Sequence, residues 1–130
     1  MTEVILDALA RETEAKGARL LVVYVPSRME VHDADWELTQ MRFRMAPGRW
    51  VRDNVVRHLE RTAHERRFAL LDLTPALRRA TGAFGRRVYF RHDGHWNVLG
   101  HRVAGEEVAA HLRRAGWVPA CAPGGTPWNP

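Results

Sequence analysis

The reactive residues of this chain concentrate in one run, Tyr89-Phe90-Arg91-His92-Asp93-Gly94-His95-Trp96-Asn97-Val98-Leu99-Gly100-His101. Asp93 and His95 stand two apart across a glycine. At that spacing a carboxylate can hold one imidazole nitrogen while the other faces a cleft, the arrangement of a general base and its orienter. Such a base needs a nucleophile to activate, and Ser27 is the only serine in the chain. It follows an apolar run and Pro26, a position that reads as a turn or cap serine rather than a nucleophile. Thr39, Thr74 and Thr126 have no motif around them.

His92, Asp93, His95 and His101 also form an inventory of zinc or iron ligands. A metal site needs convergence as well as inventory. No cysteine or further histidine stands at ligand spacing, so no metal and no cofactor is expected. Trp96 is placed either to line an acyl or sugar pocket or to pack beneath the loop. Asn97 reads as a helix cap, and Asp72 as a turn carboxylate accepting backbone hydrogen bonds near Thr74. Arg91 and His92 read as solvated turn residues, and His101 as a structural histidine inside a helix. His32, His58, His64 and His111 read as solvated.

The elements that must position these residues alternate. Residues 3–16 form a helix closed by Gly17. The run 20–25, Leu-Leu-Val-Val-Tyr-Val before Pro26, suits a parallel strand buried on both faces. Residues 27–49 form either a long connection with a helical turn near 33–40 or a helix whose periodicity is poor. Val51, Val55, Leu59 and Ala63 recur every four residues and predict an amphipathic helix from Trp50 to about Arg66. A second strand follows at 68–72, then a helix entered at Thr74-Pro75 and ended at Gly82. A third strand is expected at 88–90. Asn97 then opens a last helix, with Val103, Ala104, Val108 and Leu112 inward, closing at Gly116. This order predicts an α/β layer fold with parallel strands and right-handed crossovers.

Composition bounds the rest. With 130 residues, 45 % apolar and 27 % charged, the chain has the makeup of one folded domain rather than a disordered or fibrous one. Residues 1–116 form that domain, and the Pro- and Gly-rich stretch 117–130 forms a tail. The net charge of +5 rests on arginine, with Lys16 the only lysine. The arginines are scattered singly and in pairs without a dense run, which argues against nucleic acid as a partner. No apolar stretch is long enough for a membrane helix. The acidic N-terminus is unlike a secretory signal, so the chain as it stands reads as cytoplasmic. Cys121 is alone, and an internal disulfide is impossible.

The run Tyr89-Phe-x-x-Asp93-Gly-His95-Trp96-Asn97-x-x-Gly100-His101, ahead of an alanine-rich helix, resembles the final block of the SGNH (GDSL-like) hydrolase superfamily. It is most similar to the subgroup of alginate O-acetyltransferase-like proteins with an Asp-x-His-Trp signature. Val23-Tyr-Val-Pro26-Ser-Arg28 resembles that subgroup's strand ending in Pro-x-Lys, and Leu70-Leu-Asp72-Leu-Thr-Pro75 its strand and turn ahead of the last block. The similarity runs from about Leu20 to Arg114.

The resemblance implies a three-layer, flavodoxin-like parallel sheet of which this chain is the C-terminal portion. It also implies serine-centred acyl transfer on an ester or acetylated carbohydrate, with Asp93 orienting His95 and His95 taking the serine's proton. The family's Gly-Asp-Ser block lies ahead of the matched region and is missing from this sequence. So are the segments that would carry the Gly and Asn oxyanion donors. The other function class is a non-catalytic half-domain whose open sheet is covered by a homodimer or a partner chain.

Overall fold

The computed structural model describes residues 2–82 and 85–118. Eight elements follow one another: α1 (Thr2–Ala15), β1 (Leu21–Tyr24), α2 (Arg28–Val31), α3 (Asp33–Arg42), α4 (Asn54–Arg66), β2 (Ala69–Asp72), α5 (Thr74–Thr81) and α6 (Val98–Arg114). The α/β order and the parallel pairing expected from the sequence are both present. β1 and β2 run parallel, with Leu21 opposite Ala69 and Tyr24 opposite Asp72.

Three expectations need correction. The third strand does not join the sheet: Tyr89 forms an isolated antiparallel bridge with Trp96. The apolar residues 88–90 are instead one leg of a hairpin, whose other leg is the 95–97 stretch read as pure motif. With two strands among the described residues, β1 is half-buried along its whole length rather than buried on both faces. Burial on both faces requires a neighbour on each edge and a layer above and below. The long connection 27–49 carries two helices, α2 and α3, in place of one turn.

α4 begins at Asn54, after Asp53, and its inward face is Val56, Thr62 and Ala63. Val51 and Val55 of the expected stripe are exposed. Pro47-Gly48 is followed by turns that delay the helix, while Leu59 and Ala63 of the expected stripe stay inward, half-buried and buried.

The core joins sheet, hairpin and the last two helices. Val31, Leu71, Leu73, Leu77, Val88, Tyr89 and Ala104 form one buried cluster, with Trp96, Leu99 and Val103 packed against it. α1 contributes no buried residue and is held to α4 by Glu3 with His58 and Asp7 with Arg66. α2 is tied to α5 by Arg78, whose Nε donates to the Glu30 carbonyl at 2.8 Å while its guanidinium meets Asp53 at 2.7 Å. Of the 117–130 stretch, Trp117 lies under the Arg19 guanidinium, 4.7 Å from ring centre. Residues 119–130, including Cys121 and Thr126, lie outside the described residues.

Candidate active site

The hairpin is built by local hydrogen bonds. The Phe90 amide donates to the His95 carbonyl at 3.0 Å, and the Asn97 amide to the Val88 carbonyl at 3.1 Å. Residues 91–94 close the turn and bring Asp93 back over His95. The His95 amide donates to Asp93 Oδ1 at 2.9 Å, and the His95 ring meets the same oxygen through Nδ1. A carboxylate can only accept, so this contact places the ring proton on Nδ1. Both donors favour the charged carboxylate, the amide most, and they hold Asp93 below its usual range. His95 is largely exposed, and among the described residues its Nε2 has no hydrogen-bond partner.

Two contacts seat this hairpin at the carboxyl end of β1, where parallel α/β sheets carry their ligand sites. The buried Tyr89 hydroxyl donates to the Pro26 carbonyl, and burial pushes that phenol up. Arg28 Nη1 donates to the Arg91 carbonyl at 2.8 Å. Asn97 Nδ2 donates to the Arg87 carbonyl at 2.7 Å, while Asn97 Oδ1 accepts from the Gly100 amide at 3.0 Å. Asn97 thus caps α6, as its position predicts, and also ties the helix start to the hairpin.

Two hollows flank the tip, and Gly94 lines both. One, of about 200 Å³, is bounded by Val25, Pro26, Tyr89, His95, Trp96 and His101. The other, of about 340 Å³, is bounded by Ser27, Arg28, Asp35, Leu38, Arg42 and Phe43 among others. Trp96 packs beneath the loop, one of the two placements expected of it, and also borders the smaller hollow. It lies on the core beside Tyr89 and edge-on to His101 at 5.6 Å.

Ser27 and His95 line different hollows. The Ser27 hydroxyl and amide both donate to Glu30 Oε2, at 2.9 and 2.7 Å, which is the work of a helix-capping serine. Asp72 likewise accepts from the amide and hydroxyl of Thr74, so the start of α5 is capped by Asp72 rather than by Thr74. His101 is exposed, not internal to the helix packing. His32, expected in solvent, is buried at 8 % exposure and packs edge-on to Tyr89 at 6.0 Å. No group of three His, Cys, Asp or Glu converges as a metal site among the described residues. None of their helices is long and apolar enough to cross a membrane.

Sequence reasoning passed over one further cluster. Asp35 is buried, and its Oδ2 takes Arg87 at 2.6 Å and lies 3.9 Å from Arg28 Nε. Its parts come from three separate stretches, and no local pattern announces them.

Compared with known families, residues 2–125 match the profile described as SGNH hydrolase-like domain, acetyltransferase AlgX. No curated protein and no solved structure matches the chain.

Proposed function

This chain belongs to the SGNH hydrolase-like domain family of the acetyltransferase AlgX, and from that premise we propose that it supplies the Asp93–His95 pair of a serine-centred acyl transfer. The observation that carries this reading is Asp93 holding Nδ1 of His95 with Nε2 left free beside a hollow at the end of β1. In that role His95 Nε2 takes the proton of a serine hydroxyl as the hydroxyl attacks an ester or acetyl carbonyl. It then returns that proton to the leaving alkoxide. Asp93 steadies the imidazolium that forms in between. Trp96 lines the acyl or sugar end of the hollow.

The Ser27 hydroxyl donates to Glu30 as a cap, which supports a nucleophile supplied from outside these 130 residues. The test is intact-mass analysis after exposure to a fluorophosphonate probe. The expected result is no adduct on this chain alone, and an adduct on the serine of a chain co-purified from the source cell that disappears with His95→Ala. An adduct on Ser27 that needs His95 would overturn the placement of the nucleophile elsewhere. Absence of any His95-dependent adduct in the co-purified material would sink the acyl-transfer reading.

A second reading draws on a different observation. Among the described residues both outer edges of the two-stranded sheet are unpaired, and Val4, Ile5 and Leu9 of α1 are exposed. Open sheet edges and an exposed apolar helix face each favour association with a second copy or a partner chain, with no catalysis required. Sedimentation velocity on the purified chain checks it, a concentration-independent monomer counting against self-association.

A further inference from the structure

We infer that Arg28 is a positioning residue for His95, a clamp that fixes the exposed hairpin tip against the end of β1. The inference rests on the reading of His95 as the base, but its geometry stands independently. The tip, residues 90–95, is exposed throughout and holds itself together by internal bonds: Phe90 to His95 across the legs, and Asp93 to His95 within the turn. Such bonds fix the shape of the turn. Its placement on the fold comes from the buried Tyr89 at its foot and from contacts to the tip itself.

Among the described residues, one hydrogen bond reaches 90–95 from outside, that of Arg28 Nη1 to the Arg91 carbonyl at 2.8 Å. Arg28 opens α2 directly after the β1 connection, so its backbone is anchored where the site must be. Its side chain is braced in turn. Nε lies 3.9 Å from Oδ2 of buried Asp35, and Arg87, at the base of the first hairpin leg, meets the same oxygen at 2.6 Å. One carboxylate on α3 therefore bonds the guanidinium at the base of the leg and lies within ion-pair distance of the one bound to the turn.

A guanidinium suits this task because its planar fork donates in two directions at once. A lysine in the same place supplies the charge and one donor direction at a time. That difference separates a clamp from a mere local charge.

The test uses two-bond ¹H–¹⁵N spectra of the histidine rings of the intact, uniformly labelled chain at neutral pH, His95 being assigned by His95→Gln. Backbone heteronuclear NOEs across 91–95 are recorded alongside. In the native chain His95 is expected in the Nδ1–H tautomer with ordered turn amides. Arg28→Met keeps the aliphatic stem and removes the donor. It is expected to lower the NOEs of 91–95, while His95 keeps the Nδ1–H tautomer that Asp93 sets within the turn and the amides of Leu77 and Ala104 in the core stay in place. Arg28→Lys is expected to recover part of the lost NOEs.

Unchanged NOEs of 91–95 in Arg28→Met would overturn the inference. So would core amides that move as much as the turn, since Arg28 would then be an ordinary brace of the fold. Failure of the probe-labelling experiment with these spectra as expected would count against the acyl-transfer reading and leave the clamp intact.

Discussion

Gly100 packs directly against the Val88 carbonyl, so that a Cβ on Gly100 would lie 2.2 Å from that oxygen and 3.0 Å from Cβ of Trp96. The first turn of α6 can approach the hairpin this closely only without a side chain. Both neighbours belong to packed elements, and neither can yield cheaply. Gly100→Ala is expected to cost about 3 kcal/mol, the upper end for overpacking. Gly105, on the same helix, has open space where its side chain would go. Gly105→Ala should therefore stabilise by about 0.5–1 kcal/mol through helix propensity. Urea denaturation of the two variants checks the contrast, and equal midpoints would show that the contact at Gly100 is not required.

What could be read in the sequence follows the range of the interactions involved. Asn97 and Asp72 act on amides two or three residues away, so residue type and spacing suffice to identify them. The parallel pair β1 and β2 shows itself as two apolar runs separated by a helical crossover. The hairpin was not legible because Val88-Tyr89-Phe90 looks the same whether it joins a sheet or pairs with Trp96. Burial of His32 depends on Tyr89, far along the chain, and the Asp35 cluster on three separated segments. The Asp93–His95 pair was visible as a spacing, while its placement at the end of β1 needed the contacts of Arg28 and Tyr89.

Asn97 joins two elements, which makes its replacements distinguishable. Asn97→Ala removes the cap on Gly100 and the donor to Arg87, and is expected to cost about 1–2 kcal/mol. Asn97→Asp keeps the acceptor and loses the donor, so its stability should fall between the two. Urea midpoints measure the series. A native-like Asn97→Asp would mean that the Arg87 contact contributes nothing.

His32 should make the fold acid-sensitive well above the carboxylate range. Burial, and then the Arg87 guanidinium, hold its pKa below the ordinary 6.5. The unfolded chain therefore binds a proton that the folded chain refuses, and stability falls as pH drops through about 6.5. Among the described residues its Nε2 is buried without a partner. His32→Phe preserves the edge-on contact with Tyr89 and removes the titration. Thermal melts between pH 7.5 and 5 are expected to decline for the native chain and flatten for the variant. Parallel declines would place the acid sensitivity elsewhere.

Asp93 gives the complementary test at the site itself. Its carboxyl is held below the ordinary 3.8, first by the His95 amide and then by the His95 ring. A depressed carboxylate stabilises the turn above its unfolded pKa, and that contribution is lost as pH falls through the lower folded value. The closed turn should accordingly persist at pH 4 and open only below the ordinary carboxylate range. His95→Ala deletes the ring and leaves the amide, so the Asp93 midpoint should rise part of the way toward 3.8 and no further. Carboxyl ¹³C shifts followed from pH 6 to 2 read both midpoints directly. A native midpoint at the ordinary value would dissolve the pair, and identical midpoints in the two chains would leave the ring contact with no energetic consequence for Asp93.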